Sequence, residues 1–162
     1  MKRYAVKMLA ASLVVAATTA MAQTPPPAYG APITLAQAKK AMAAAEAEAS
    51  KNNWPVAIAI VDTGGHLSLF QRQENAQFGS VSVAQEKAWG AVAFRRATKG
   101  FQDLIEKGGV NLRLLNLTGN AAVLEGAVPI VVDGKVIGGI GVSGVTPEQD
   151  AMVAQAGANA LK

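Results

Sequence analysis

Residues 128–144 read Val-Pro-Ile-Val-Val-Asp-Gly-Lys-Val-Ile-Gly-Gly-Ile-Gly-Val-Ser-Gly. Two runs rich in β-branched residues, 128–132 and 136–142, flank Asp133-Gly134, a dipeptide that favours a two-residue hairpin turn. Glycines recur in the second run, which is typical of a strand that another backbone or a ligand approaches closely. The stretch therefore predicts an antiparallel hairpin with a tightly packed second strand.

A second hairpin is predicted upstream. Val56 to Val61 is a continuous apolar run that suits a buried strand. Asp62-Thr63-Gly64-Gly65 supplies a reversal, because glycine tolerates the positive φ of tight turns. Leu67 to Arg72 then returns as the partner strand, which places the single histidine, His66, at its entry.

Capping-box spacings mark the starts of three helices. Thr34 with Gln37 and Ser82 with Gln85 show the spacing, and Thr146 repeats it before Pro147. We predict helices from Thr34 to the asparagines at 52 and 53, over 83–98, over 101–107 and from Thr146 onward, with a loop containing short helical turns over 110–126.

The order of these elements fixes the fold class. A helix, a hairpin, helices, a hairpin and a helix follow one another, and hairpins imply antiparallel pairing. The prediction is an α+β fold, with a central antiparallel sheet of two hairpins flanked by helices.

The N-terminal segment has the pattern of a secretory signal peptide. Basic residues are followed by an apolar run over 8–17, too short to span a bilayer comfortably, and Ala20-Met21-Ala22 resembles a cleavage site. We predict a signal peptide over 1–22, a Pro-rich extended leader over 23–32 and one domain over 33–162. The mature protein is expected to be periplasmic or secreted, with no membrane association after cleavage.

The composition excludes several classes of function. The chain has 15 Lys and Arg, 11 Asp and Glu, and a net charge of +4. Three of the basic residues lie in the signal peptide, so the remainder has 12 against 11 and a net charge of +1. Such a chain lacks the broad basic surface that nucleic-acid binding requires. The absence of cysteine excludes disulfides, thiolate metal sites and cysteine nucleophiles.

Four ordered motifs support a family resemblance. They are "VDTGGHL" at 61–67 with Arg72 after it, "EKAWGA" at 86–91, the hairpin at 128–144 and "PEQDAMVAQAG" at 147–157. Their order and spacing resemble the GlcG/HbpS haem-binding family, which is also similar to the C-terminal domain of bacterial PduO proteins. The resemblance covers residues 33–162. It implies a profilin-like fold, assembly into homo-oligomers and haem as the cofactor.

The resemblance implies an exported, oligomeric haem-binding protein that sequesters, delivers or slowly degrades haem. A binding protein is favoured over a well-defined enzyme, because paired catalytic carboxylates and a nucleophile with its base are not evident. The alternative is an enzyme or binder for small organic acids, such as glycolate or ring-cleavage products. An oligomeric scaffold without a ligand is a third interpretation.

The resemblance makes His66 the candidate axial ligand of haem iron, a role that suits a neutral imidazole. The alternative for His66 is a hydrogen bond to backbone near the turn. Met42, Met152 and Tyr29 stay open as other iron ligands, and so does a ligand supplied by a neighbouring subunit.

Four further residues are candidate cofactor-binding residues. Lys87 is expected to reach a ligand carboxylate or haem propionate, or else to extend past apolar surface into water. Arg72 is expected to pair with a carboxylate, or to bridge Asp62 across the hairpin. Gly64 and Gly65 are assigned to turn geometry and close packing beside the ligand.

The chain departs from the usual family pattern just before its second hairpin. Glu125-Gly126-Ala127 stands where relatives commonly have three glycines. Ala127 demands more room than glycine, and Glu125 adds a carboxylate to this loop.

Overall fold

The computed structural model describes residues 25–117 and 121–162, so the predicted signal peptide over 1–22 lies outside the described residues. Strands, α-helices and one 3-10 helix alternate along these residues. In chain order they are β1 (Ala28–Tyr29), α1 (Leu35–Lys51), β2 (Ala57–Asp62), β3 (Leu67–Arg72), α2 (Ser80–Ala93), α3 (Lys99–Glu106), the 3-10 helix (Gly109–Asn116), β4 (Ala127–Val132), β5 (Lys135–Ser143) and α4 (Pro147–Asn159).

The two hairpins join into one antiparallel sheet in the order β4, β5, β2, β3. Strands β2 and β5 pair along their length, with Ile60 opposite Ile140 and Asp62 opposite Gly138. This arrangement confirms the predicted α+β fold with a central sheet of two hairpins.

A fifth strand comes from the Pro-rich leader. Strand β1 pairs in parallel with Lys135 and Val136 at the start of β5. Both residues lie beyond the point where β2 ends, and β4 occupies the other edge of β5. Strand β1 therefore lies on the same side of β5 as β2, beyond the point where β2 ends. Residues Ala28 and Tyr29 of the predicted extended leader therefore pack as a strand of the sheet.

Helices cover both faces of the sheet. One face and helices α1 and α4 share a core that contains Ile58, Ile60, Ile140 and Val142. The opposite face carries the alternate residues of β2, which pack with Ala84, Ala88 and Val92 of α2. Alternation of side chains across β2 explains why one apolar run contributes to both cores.

Glycine lets α2 lie directly on β5. A Cβ added at Gly141 would overlap the carbonyl oxygen of Ala84 and the backbone nitrogen of Ala88. A Cβ added at Gly139 would lie 2.7 Å from the carbonyl oxygen of Ala88. The predicted close approach is confirmed, and the approaching group is helix backbone.

The helix ends confirm two predictions and correct a third. Thr34 and Thr146 each close a capping box, with Gln37 and Gln149 respectively. Ser82 caps nothing, because its hydroxyl donates to the carbonyl of Gly79 within the first turn of α2.

Helix α2 therefore begins at Ser80 rather than Val83. It ends at Ala93 rather than Thr98, since Arg95 adopts a φ of 51° and cannot continue a right-handed helix. Helix α3 begins at Lys99, two residues before its predicted start at Phe101. Among the helices within residues 25–117 and 121–162, none is long and apolar enough to cross a bilayer.

Candidate functional site

The turn between β2 and β3 is organised by Asp62. Its Oδ1 accepts the backbone N–H of Gly64 at 2.8 Å and of His66 at 2.9 Å. The Nδ1 atom of His66 lies 3.3 Å from the same carboxylate. One carboxylate thus holds both the turn and the imidazole, and the predicted position of His66 beside the turn is confirmed.

The hydrogen bonds at this turn also set the charge of Asp62. Burial acts to raise the pKa of Asp62, but the N–H groups of His66 and Gly64 outweigh it and hold the pKa below its ordinary value. The carboxyl group is therefore ionised at neutral pH. An ionised carboxylate beside Nδ1 favours the tautomer that carries its proton there, which leaves the lone pair on Nε2.

The His66 side chain lies at the surface, with 83% of its area exposed. A hollow of about 160 Å³ is lined by its chain neighbours Gly65 and Leu67 together with α2, but not by His66 itself. Its lining residues are Val61, Gly65, Leu67, Gln85, Glu86 and Trp89. Sites that enclose small molecules are commonly about 300–1,000 Å³, so this hollow does not enclose a large planar ligand.

Position 65 requires glycine because of its backbone conformation and because of the side chain of Trp89. Its φ is 81°, and an added Cβ would lie 2.5 Å from Cδ1 of Trp89. The imidazole of His66 lies close to Gly64, so that a Cβ added at Gly64 would lie 2.8 Å from the ring. These contacts are consistent with the turn and packing roles predicted for both glycines.

Lys87 is buried in an ion pair within the chain. Its ammonium group donates to Asp150 Oδ2 at 2.8 Å and to the carbonyl of Val142 at 3.0 Å, and its side chain is 2% exposed. The expectation that Lys87 extends into water is wrong, because these partners lie inside the protein. A role for Lys87 in cofactor binding would require this pair to open.

Sequence reasoning missed Asp150 as the partner of Lys87. Burial raises the pKa of Asp150 above its ordinary value, although the ammonium of Lys87 acts in the opposite direction. A signal was present in the sequence. Asp150 has the helical phase of Val153, Ala154 and Gly157, which form the buried face of α4.

Arg72 lies at the far end of β3 from His66. Its Nη1 atom donates to the carbonyl of Ala76 at 3.1 Å, and its guanidinium lies 4.8 Å from the ring centroid of Phe78. Arg72 pairs with Ala57, at the opposite end of β2 from Asp62. The expected bridge from Arg72 to Asp62 is therefore wrong, because about 16 Å of strand separates them.

The three alternative iron ligands differ in accessibility. Met42, on α1, is buried in the core. The hydroxyl of Tyr29 donates to the carbonyls of Val92 and Ala93, at 2.9 and 3.1 Å. Met152 on α4 is 53% exposed, so its thioether is accessible.

A larger cavity of about 540 Å³ lies between α4, β4 and the start of α3, and we call it the α4 cavity. Small residues on three elements create the concave surface, and charged residues surround it. The lining residues are Glu48, Ala97, Lys99, Glu125, Ala127, Val128, Glu148, Ala151, Met152, Gln155, Ala156 and Asn159. Sequence reasoning did not predict this cavity, although it noted the unusual Glu125.

The part of the chain that the structure describes contains no cluster of three or more His, Asp or Glu side chains able to hold a bare metal ion.

Comparison with known proteins identifies relatives over most of the chain. The family model described as haem degrading protein HbpS-like matches residues 33–159. Protein GlcG of Escherichia coli is 44% identical over 102 residues, which are 63% of this chain and 74% of GlcG.

Two solved structures share the fold. The crystal structure of a PduOC:haem complex has a TM-score of 0.73 and 31% identity, over 81% of this chain and 96% of that one. The crystal structure of HbpS has a TM-score of 0.74 and 28% identity, over 91% of this chain and 99% of that one.

Proposed function

Because the chain belongs to the HbpS-like family of haem-degrading proteins, we propose that it is an exported, oligomeric haem-binding protein. The observation that carries the proposal is the geometry of His66, the only histidine of the sequence. Its Nδ1 atom faces the Asp62 carboxylate, and its side chain is otherwise exposed. The imidazole is thus held on one side and open on the other.

The donor chemistry at His66 fits haem iron. Histidines that bind metals usually direct their second ring nitrogen to a carboxylate or carbonyl, which fixes the tautomer and raises the basicity of the ligating nitrogen. Asp62 supplies that carboxylate. Haem, when bound, would supply a redox-active iron, and His66 is the residue that would hold it.

The surface beside His66 suits the edge of a porphyrin. Leu67 is half exposed, and Trp89 lines the adjacent hollow. The hollow of about 160 Å³ leaves most of a bound porphyrin at the surface of one protomer. In the proposed oligomer, a second copy of the chain would cover the other face.

The signal-peptide pattern over 1–22 supports export. The N-terminal sequence of protein purified from the periplasm or medium tests it, and the expected first residue is Gln23. Protein retained in the cytoplasm with Met1 intact would contradict export. Native mass spectrometry of the same sample tests assembly, and a monomer would contradict it.

The structure does not favour the alternative of a small organic acid held at the same site. That alternative used Lys87 and Arg72 to hold a carboxylate and His66 to move a proton. Lys87 is paired with Asp150, and Arg72 lies at the opposite end of β3 from His66. The three side chains do not converge.

Hemin titration of the purified protein tests haem binding. A saturable Soret band, distinct from that of free hemin, is expected. The spectrum of free hemin at every ratio would refute the proposal.

Two variants test the ligand. His66→Ala is expected to lose or shift the Soret band, while Met152→Leu keeps it and serves as the matched control. The reverse result, an unchanged His66→Ala spectrum and a shifted Met152→Leu spectrum, would move the ligand to α4 and overturn the assignment of His66.

A further inference from the structure

Strand β3 has an unpaired edge. It pairs with β2 on one side, and no strand that the structure describes pairs with its other side. The backbone N–H of Gln73 donates to the carbonyl of Val56, which precedes β2. Because the backbone groups of successive residues point alternately to the two sides of an antiparallel strand, those of Phe70 and Arg72 point away from β2. Such an edge is open to pairing with another strand.

Exposed apolar side chains lie at both ends of this edge. Leu67, at the start of β3, is 50% exposed, and Phe78, which lies against the Arg72 guanidinium at the end of β3, is 83% exposed. Leu67 pairs with Val61 and Arg72 pairs with Ala57, and both β2 residues belong to the core beneath α2. Directly paired residues share a face of the sheet, so Leu67 and Arg72 both lie on the α2 face.

The hollow lined by Leu67 and Trp89 has a carboxylate but no cation. Glu86 lines it, and its described lining residues include no lysine or arginine. The ionised carboxylate of Asp62 lies close by, beside the imidazole of His66. The propionates of haem would therefore meet negative charge without a compensating cation. The candidate haem site is electrostatically incomplete within one chain.

Antiparallel pairing of two β3 strands supplies the missing cation. When the strands pair about Phe70, each Phe70 N–H donates to the Phe70 carbonyl of the other copy, and Arg72 lies opposite residue 68 of the other copy. Side chains in such opposite positions have Cβ atoms about 4.5–5.5 Å apart. Arg72 of the second copy thereby comes next to Leu67, although about 16 Å of strand separates these two residues within one chain.

The two ends of β3 also complement each other. One end carries the carboxylates of Asp62 and Glu86, and the other carries the exposed guanidinium of Arg72, which has one hydrogen bond within the described chain. Pairing also brings Phe78 of the second copy towards Leu67, so two exposed apolar side chains cover each other. A two-fold axis makes each of these contacts twice, which favours a second copy over an unrelated partner.

We propose that two copies of the chain pair antiparallel through β3, and that Arg72 of each copy completes the site at His66 of the other by binding a carboxylate of the cofactor. The role of Arg72 rests on the proposed haem function, whereas the pairing of β3 does not. Arg72 and His66 do not converge within one protomer, but they meet at two equivalent sites in the pair.

Co-expression of two differently tagged subunits, purified through both tags, tests whether the site is shared. A His66→Ala subunit joined to an Arg72→Ala subunit keeps one intact site, so hemin is expected to bind at about half the native stoichiometry. A native subunit joined to the double variant His66→Ala/Arg72→Ala keeps no intact site and is expected to bind hemin more weakly. Equal binding by the two hetero-oligomers, or the opposite ranking, would overturn the inference.

Hemin dimethyl ester, which lacks free carboxylates, identifies the group that Arg72 binds. Arg72→Ala is expected to weaken the binding of hemin by about tenfold or more and to leave the binding of the ester unchanged. Lys107→Ala removes an exposed cation elsewhere on the surface, and it is expected to weaken neither probe. Equal losses of affinity for hemin and its ester in Arg72→Ala would refute the contact.

Oxidative cross-linking tests the strand pair without haem. The native chain has no cysteine, so a disulfide in Phe70→Cys forms only between copies. The paired Cα atoms would lie about 5.5 Å apart, within the range that a disulfide spans. Phe70→Cys is expected to give a covalent dimer, whereas Gln155→Cys, exposed on α4, is expected to give none. No dimer from a Phe70→Cys protein with a native circular dichroism spectrum, or equal cross-linking of both variants, would refute the pairing.

Sedimentation velocity of Arg72→Glu measures the pairing without a change in the core. The reversed charge opposes Asp62 and Glu86 of the second copy, so the variant is expected to form smaller assemblies than the native protein, and an unchanged assembly would contradict the pairing. These results are independent of hemin. Confirmed pairing in a native protein that does not bind hemin would overturn the haem function and the role of Arg72, whereas hemin binding without β3 pairing would overturn this inference alone.

Discussion

Replacing Lys87 by methionine removes the ammonium that ties α2 to α4 and keeps a side chain of similar length. In the native protein this ammonium makes two hydrogen bonds, to Asp150 at 2.8 Å and to the Val142 carbonyl at 3.0 Å. Both partners are buried, so water does not replace the lost donors. The variant leaves the buried carboxylate of Asp150 without its cationic partner.

The expected loss is large relative to the stability of a domain. Breaking a buried ion pair by removing one partner costs about 3–5 kcal/mol, and a typical domain is stable by about 5–15 kcal/mol. Asp150 keeps one hydrogen bond, from the backbone N–H of Val145 at 3.2 Å. We expect Lys87→Met to lower the free energy of unfolding at neutral pH by about 3–5 kcal/mol.

The pH dependence of that loss has a definite sign. Burial already raises the pKa of Asp150, and Lys87→Met removes the ammonium that opposes this rise. Between the unfolded pKa and the raised folded pKa, the folded variant binds more protons than the unfolded chain. Stability then increases as pH falls through this window, by up to about 1.4 kcal/mol per pH unit. Mild acidification should therefore narrow the gap to the native protein.

Urea unfolding followed by tryptophan fluorescence, at neutral and mildly acidic pH, measures both effects. Lys107→Met removes an exposed lysine and should change stability by no more than about 0.5 kcal/mol. Lys87→Met combined with Asp150→Asn should be more stable than Lys87→Met alone, because no buried charge is left. A loss below about 1 kcal/mol, or a gap that widens on acidification, would refute the reasoning.

Three further predictions test the local interactions. Gly141→Ala should push α2 away from β5 and lower the free energy of unfolding, measured with urea, by about 1–3 kcal/mol or more. The control Gly100→Ala lies in open space on α3, so it should leave the free energy of unfolding unchanged or raise it by up to about 1 kcal/mol. Thr146→Ala should lose the cap of α4 and about 1 kcal/mol by the same measurement, while Thr146→Ser retains most of it. The pKa of Asp62 is lowered in the folded protein, so this carboxylate contributes stability that is present above its unfolded pKa of about 3.8 and lost as pH falls through its folded pKa. Asp62→Asn should therefore make the melting temperature depend less on pH in that acidic range.

Each of these predictions has a contrary outcome. Equal changes in the free energy of unfolding of the Gly141 and Gly100 variants would show that the close contact between Gly141 and α2 does not contribute to stability. A Thr146→Ser variant as unstable as Thr146→Ala would deny the cap. If the melting temperature of Asp62→Asn falls with pH as that of the native protein does, the charge of Asp62 does not contribute to stability in this range.

Local chemistry explains why most elements were predictable. A hairpin needs a turn dipeptide between two β-rich runs, and both signals lie within a few residues, as around Asp133-Gly134. Capping boxes are also local, and those at Thr34 and Thr146 confirm their predicted helix starts. Ser82 shows the limit of such spacing. Ser82 lies inside α2, because this helix begins two residues earlier at Ser80, and both Ser80 and Ala84 are buried.

Contacts between distant segments explain the failures. Strand β1 pairs with a strand more than a hundred residues later, and the leader sequence carries no strand signal of its own. Lys87 and Asp150 are 63 positions apart, so neither local pattern identifies the other. Of the candidate site, the sequence correctly placed His66 at a turn. The α4 cavity was not predictable, because it depends on residues of α1, α3, β4 and α4 that meet only in the fold.

The packing of the sheet determines what kind of ligand each surface accepts. On one face the backbone of α2 lies against Gly139 and Gly141, which leaves no space for a ligand. On the other face the core beneath α1 and α4 is filled by buried side chains. Among the described residues, neither side of the sheet leaves room for a porphyrin in its interior, which is consistent with our proposal that haem binds at the surface near His66. The α4 cavity lies instead at an open surface between α4 and β4, so it also leaves a bound ligand partly exposed.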